Sequence, residues 1–169
     1  DLSLNISDYR ASERTFQLLT QAVGRAGRGE TPGEAVIQTY QPEHYSIQAA
    51  IRQDYPGFYQ EEIEYRQLMS YPPVSNLFAV RGSSMDEELL TAGMGYIRRF
   101  LRKVDVGGHL QMIGPADEPV AKVADMYRQV LYVKHENMEQ LLRAKDKLEQ
   151  YIEINSGFKN IRIQFQFNN

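Results

Sequence analysis

Ile161-Arg162-Ile163-Gln164-Phe165-Gln166-Phe167 alternates apolar and polar side chains without a break. Successive side chains of a strand point to opposite faces, so this run predicts a strand with one face on a core and the other toward water. Upstream the period changes. Asn137 with Gln140 marks a helix start, Met138, Leu141, Leu142, Leu148 and Ile152 are expected to face inward, and Gly157 to end the helix. Tyr127–Lys134 and Leu110–Ile113 read as strands, with Gly114–Pro119 expected to be a loop between them. Before them, Leu90, Met94, Ile97, Leu101 and Val104 share one face of a second helix, which Gly107-Gly108 breaks. Ser84-Met85-Asp86-Glu87 fits a capping box at its start, and Leu77–Gly82 reads as the first strand. The order is β-α-β-β-α-β, the split ferredoxin-like arrangement. The expected class is therefore α+β for residues 76–169, with two helices on one face of a four-stranded antiparallel sheet and the other face partly open.

Residues 1–75 have a different texture. A helix is expected from Ala11 or Ser12 to Gly27 or Gly29, with Phe16, Leu19, Val23 and Ala26 as its apolar stripe. Glycines at that end suit a left-handed cap. Thr31-Pro32-Gly33 reads as a turn and residues 35–40 as a short strand. A helix and strand with no preceding strand look like half of an α/β unit, so residues 1–41 are expected to be cut from a larger lobe. The opening Asp1-Leu2-Ser3-Leu4 has neither an initiator methionine nor a signal pattern. Residues 42–75 read as a helical connector: one helix from Pro42-Glu43 through Ile51, another from Pro56 to Met69, then a stop at Tyr71-Pro72-Pro73. Tyr40, Tyr45, Tyr55, Phe58, Tyr59, Tyr65 and Tyr71 crowd this connector. They are expected to pack one domain against the next, with stacking on nucleic-acid bases as the alternative.

Composition excludes several classes. With no cysteine there is no disulfide, thiolate zinc site or cysteine nucleophile. His44, His109 and His135 have no paired ligand spacing, so no metal site is expected. No apolar run approaches the length of a membrane span. Net charge is −3, so any nucleic-acid contact must come from local patches. Residues 1–75 carry six Lys/Arg against ten Asp/Glu, residues 76–169 thirteen against twelve.

The sharpest chemical feature is Gln21-Ala22-Val23-Gly24-Arg25-Ala26-Gly27-Arg28. On a helix Gln21, Arg25 and Arg28 fall at i, i+4 and i+7 and point the same way, opposite the apolar stripe, with Arg14 and Gln17 extending the polar face. Two guanidiniums side by side offer planar, permanently charged donors. An ordinary amphipathic helix with a solvated basic face would also account for two arginines alone. The whole string resembles motif VI of superfamily 2 helicases, whose arginines reach the γ-phosphate of ATP held on the other motor lobe. By that resemblance Arg25 and Arg28 are arginine fingers, with Gln21 their polar partner. No G-x-x-x-x-G-K-[ST] phosphate loop occurs in the chain.

The surroundings narrow the resemblance. Asp8–Arg14 leading into Gln21–Arg28, then Gly33–Thr39, Glu62-Ile63 before Tyr71-Pro72-Pro73, and Gly114–Lys122 followed by Tyr127-Arg128 are similar to the bacterial replication-restart helicases of the primosomal protein N′ (PriA) family. The resemblance implies that residues 1–41 are the tail of the second RecA-like lobe, residues 42–75 a connector, and residues 76–169 a ferredoxin-like C-terminal domain. It implies an ATP-dependent 3′-to-5′ DNA helicase, cytoplasmic and nucleoid-associated, that recognises stalled forks and initiates primosome assembly. ATP and Mg2+ would be bound by the parent protein, zinc only upstream, and this part alone would be inactive. Its implied partners are forked and single-stranded DNA, single-stranded-DNA-binding protein and other primosome proteins.

Lys122 and Arg128 beside the Gly114–Pro119 segment, and Arg98, Arg99, Arg102 and Lys103 on the expected outer side of a helix, are the candidates for DNA phosphates. A solvated helix face is the alternative for the arginine cluster. A protein-docking scaffold that does not touch DNA is the competing function. An RNA module using the sheet face is a third, weakened because Arg162, Gln164 and Gln166, not aromatics, take the outward positions.

Overall fold

The computed structural model describes residue 4, residues 8–26 and residues 33–168, and the chain divides into two compact units, Asp1–Met69 and Ser70–Asn169.

The first unit holds helices α1 (Ala11–Ala26), α2 (Tyr45–Arg52) and α3 (Tyr55–Leu68) around Phe16, Ala49, Ala50 and Phe58. The rings of Phe16 and Phe58 stack 4.2 Å apart. Asp54 caps α3 by accepting from the Gly57 amide at 2.9 Å, and Pro56 occupies the first turn, where no intrahelical donor is needed. Beside this small core lies a polar knot. Arg66 bonds Glu62 at 2.7 Å within α3 and Glu13 of α1 at 2.8 Å, while the Tyr45 hydroxyl of α2 donates to Glu62 at 2.6 Å. Burial raises the Tyr45 phenol well above its ordinary pKa, and the Glu62 hydrogen bond adds to it. Burial alone would lower the pKa of Arg66, but its bonds to Glu13 and Glu62 outweigh that and raise it. Three helices are thus tied by one arginine and its acceptors.

One expectation fails in this unit. Residues 35–40 form no strand, and Val36 and Tyr40 are exposed. A strand is held by a neighbour's backbone, and the described residues of this unit provide none. Of the crowded aromatics that lie in this unit, Phe58 is buried, Tyr45 is half-buried, and Tyr40, Tyr55, Tyr59 and Tyr65 are exposed.

The second unit runs β1 (Asn76–Ser84), α4 (Glu87–Val104), β2 (Gln111–Val123), β3 (Met126–His135), α5 (Met138–Ile154), a 3-10 turn (Ser156–Phe158) and β4 (Arg162–Phe167). Its antiparallel sheet has the order β2-β3-β1-β4. Phe78 and Val80 of β1, Leu131 and Val133 of β3, Leu90, Met94, Ile97 and Leu101 of α4, and Leu141 and Leu148 of α5 make one core, with Phe165 and Phe167 packed on it. Gly82 faces α4, where a Cβ would lie 2.6 Å from Met94 Sδ, so helix and strand approach closely there.

Several local readings are corrected. The cap of α4 is Asp86, which accepts from the Leu89 amide at 3.0 Å, while Ser84 closes β1 and accepts from the Asp86 amide. Met138 and Leu142 are exposed on α5, and Ala144 takes an inward position, because the 100° step carries that face away from the sheet. The Gly114–Pro119 segment is not a loop. It lies inside β2, with register shifts between Ile113 and Ala116 and between Asp117 and Lys122. Gly114, at φ +99°, permits the first irregularity, and proline is tolerated because β2 is an edge strand.

Candidate nucleic-acid interface

Alternation along the strands decides what the sheet presents opposite its helices. Phe78 and Val80 face the core, so Arg81 and Ser83 of β1 point the other way. The registers place Arg128 of β3 and Arg162 of β4 on either side of Ser83, and Val130 and Gln164 on either side of Arg81. Three arginines from three strands therefore share one end of this outer face. Farther along it, Lys134 is buried with its ammonium 3.5 Å from the Tyr71 ring centre, and burial holds its pKa below the ordinary range.

Glu118 of β2 reaches this arginine group. Its side chain is 7% exposed; one carboxylate oxygen accepts from Arg81 Nη1 and the other from Arg128 Nη2 at 2.6 Å. Arg81 Nε also donates to Gln166 at 3.1 Å. A buried carboxylate shared by two guanidiniums leaves a net positive charge and fixes both arginines in orientation. Arg162 is exposed, and among the described residues no acid pairs with it.

The other sequence candidates separate. Lys122 sits in the β2–β3 hairpin, 3.3 Å from Asp125 and 4.8 Å from the centre of the Tyr127 ring. On α4, Arg99, Arg102 and Lys103 are exposed, with Arg99 lying over the Tyr96 ring at 4.3 Å. Arg98 does not join them: its guanidinium donates to the Gly114 carbonyl of β2, so it braces the helix against the bulged strand. Arg102 and Lys103 lie in the last turn of α4, where cations also complement the helix dipole. Arg81 and Glu118 were not singled out in the sequence. The alternation of β1 would have placed Arg81 outward, but nothing local ties it to an acid 37 positions away.

On α1, Gln21 and Arg25 are exposed one turn apart, and Arg28 lies outside the described residues. The chain's sequence contains no phosphate loop. Among the described residues no three His, Asp or Glu side chains gather as metal ligands, and no helix is long and apolar enough to cross a membrane.

Residues 67–166 match the family described as Primosomal protein N C-terminal domain. The chain is 38% identical over 168 residues to the replication restart protein PriA of Bacillus subtilis, covering 99% of this chain and 21% of that protein. It is 35% identical over 150 residues to PriA of Synechocystis, covering 89% of this chain and 18% of that one. It is 40% identical over 140 residues to PriA of Thermotoga maritima, covering 83% and 18%. The chain thus spans about a fifth of the length of these relatives.

Proposed function

The chain belongs to the Primosomal protein N C-terminal domain family, and from that membership we propose that it is the C-terminal part of an ATP-dependent 3′-to-5′ DNA helicase that recognises stalled forks and initiates primosome assembly for replication restart. The observation that carries this is a match at 38% identity with a replication restart protein, whose 168 residues extend over both compact units and so span the Gln21–Arg28 segment. In this reading residues 1–41 are the tail of a RecA-like lobe, residues 42–75 a connector and residues 76–169 a ferredoxin-like domain. The observed order of elements and sheet neighbours in the second unit supports the last of these.

Arg25 and Arg28, with Gln21, act on the motor. ATP and Mg2+ held by the parent's other lobe would supply the phosphoryl group to be transferred. This chain's guanidiniums stabilise the negative charge that spreads over the transferred oxygens, an effect on the order of a thousand-fold or more in rate. Without a phosphate loop, the chain alone does not turn over ATP. The second unit contributes DNA phosphate contacts, from Arg128 and Lys122 at the sheet and Arg99, Arg102 and Lys103 on α4, and docks single-stranded-DNA-binding protein and primosome partners. The protein works in the bacterial cytoplasm at the nucleoid.

Two experiments test this. Arg28→Ala in the full-length parent is expected to nearly abolish DNA-stimulated ATP hydrolysis while sparing DNA binding; near-normal turnover would defeat the finger assignment. Fluorescence anisotropy of the chain with labelled forked and single-stranded DNA is expected to show binding that weakens with salt. No binding at low salt would leave the second unit a protein-docking scaffold.

A further inference from the structure

The outer face of the sheet carries a cationic row whose geometry a solvated surface does not require. Arg128, Ser83 and Arg162 lie side by side on β3, β1 and β4, perpendicular to the strands. Two strand spacings separate the arginines, about 10 Å at the backbone. Ser83 between them is half-buried and brings a small hydroxyl, so the row is a shallow trough with a guanidinium on each side. Arg81 stands behind it, locked by Gln166 and Glu118. Glu118 is the unusual member. Burying a carboxylate is costly without partners, and here both oxygens are spent on arginines. Three arginines and one acid leave two uncompensated positive charges at one end of the face. Gln164 and Gln166, outward on β4, add uncharged donors and acceptors beside them.

We infer that this end of the sheet is a phosphodiester site for the backbone of single-stranded DNA, with Arg162 and Arg128 as its phosphate contacts, Ser83 as the hydroxyl between them and Glu118 as the internal carboxylate that orients Arg128 and tempers its charge. The inference rests on the DNA-binding reading above and deepens its sheet part, adding Arg162 and Ser83 to Arg128. Charge complementarity selects a polyanion. A row three strands wide follows one backbone across the sheet, and flat sheet faces serve unstacked strands, whereas readout of a duplex groove calls for an inserted helix or ribbon. Arginine, serine and glutamine point outward at this end, with Tyr132 of β3 farther along the face, so this end holds phosphates with little sequence preference.

The sign of one substitution separates this site from a structural role. Glu118→Gln keeps the shape and a hydrogen-bond acceptor but removes the negative charge, so phosphate binding should tighten about threefold, the size of one screened unit charge nearby. A purely structural Glu118 would give weaker binding when lost. Arg162→Ala, at an exposed position, should leave folding intact and reduce the slope of log affinity against log salt by about 0.7, as should Arg128→Ala. Arg143→Ala, an exposed arginine on α5 paired with Glu139, should leave the slope unchanged.

The experiment is fluorescence anisotropy of the whole chain with a labelled deoxythymidine oligomer and, separately, a blunt duplex, over a range of salt, with circular dichroism melts confirming that each variant folds. Wild-type slopes for both Arg162→Ala and Arg128→Ala, while the parent chain binds, would overturn the sheet site and leave the DNA-binding reading standing. Weaker binding by folded Glu118→Gln, or preference for the blunt duplex, would also overturn it. No binding by the parent chain at low salt would remove both.

Discussion

Replacing Arg66 with alanine tests whether the polar knot of the first unit holds the motif-bearing helix in place. The Arg66 side chain is 10% exposed and Glu62 7%, so Arg66→Ala strands a buried carboxylate. Removing one partner of a buried pair costs about 3–5 kcal/mol, far more than the net worth of the pair itself. The Tyr45 hydroxyl still donates to Glu62, which puts the expected loss at the lower end, about 3 kcal/mol. The second pair adds little: Glu13 is 38% exposed, and partly exposed pairs contribute about 1 kcal/mol or less. A unit of this length has about 3–10 kcal/mol of stability in total, so the variant gives up a large share of it. Glu13 lies on α1, the helix that carries Gln21 and Arg25, so the loosening reaches the arginine-bearing segment. Hydrogen exchange read by mass spectrometry reports the two units separately. Amides of α1 and α3 are expected to exchange on the order of a hundredfold faster, 1.4 kcal/mol being a factor of ten in an equilibrium constant. Amides of β1 and β3 should be unchanged. The paired substitution Glu62→Leu with Arg66→Met should recover all but about 1 kcal/mol, since neither charge is then left buried. A loss below about 1 kcal/mol in Arg66→Ala, or equal losses in single and paired variants, would refute the account.

His44 caps α2 through Nδ1, which accepts from the Ser46 amide. Burial lowers its pKa, with Glu62 and Glu61 opposing, so its stabilising contribution is complete above the unfolded value of 6.5 and is lost as pH falls below it. His44→Asn keeps a capping oxygen without the titration, and the gap between its melting temperature and the parent's should widen in its favour as pH drops from neutral toward acid; a gap that stays constant with pH would refute the linkage. Gly82→Ala sets a Cβ 2.6 Å from Met94 Sδ and 2.9 Å from Leu90 Cδ1, both fully buried, so urea unfolding should show the second unit weakened by about 1–3 kcal/mol. No measurable change there would mean that α4 withdraws from β1 freely.

The second unit was legible wherever a periodicity repeats often enough to declare itself. The alternation of residues 161–167 and the face of Leu90, Met94, Ile97 and Leu101 each repeat through several turns or strand steps, and the packed core uses both. Misreadings fell where one local signal competed with a partner distant in sequence. Gly114 and Pro115 carry turn chemistry, yet β3 pairs with residues on both sides of them and makes a bulged strand. Residues 35–40 have strand chemistry, yet no neighbour among the described residues of their unit pairs with them. Ser84 and Asp86 are both good caps, and the length of β1 chooses between them.

The candidate site divides in the same way. Counting cations along α4 gathered Arg98, Arg99, Arg102 and Lys103, but a helix turns 100° per residue, and Arg98 was carried to the β2 side and bonded there. The sheet arginines come one from each of three strands, and no window of sequence contains more than one of them. Their grouping is a property of register. A one-residue slip of β4 against β1 would turn Arg162 into the core and Ile163 into water. The apolar contacts of Ile163, Phe165 and Phe167 with the core forbid that slip. The same packing that stabilises the fold therefore fixes the position of Arg162 beside Ser83, so a substitution that shifts β4 should disturb salt-dependent DNA binding even though it touches no charge.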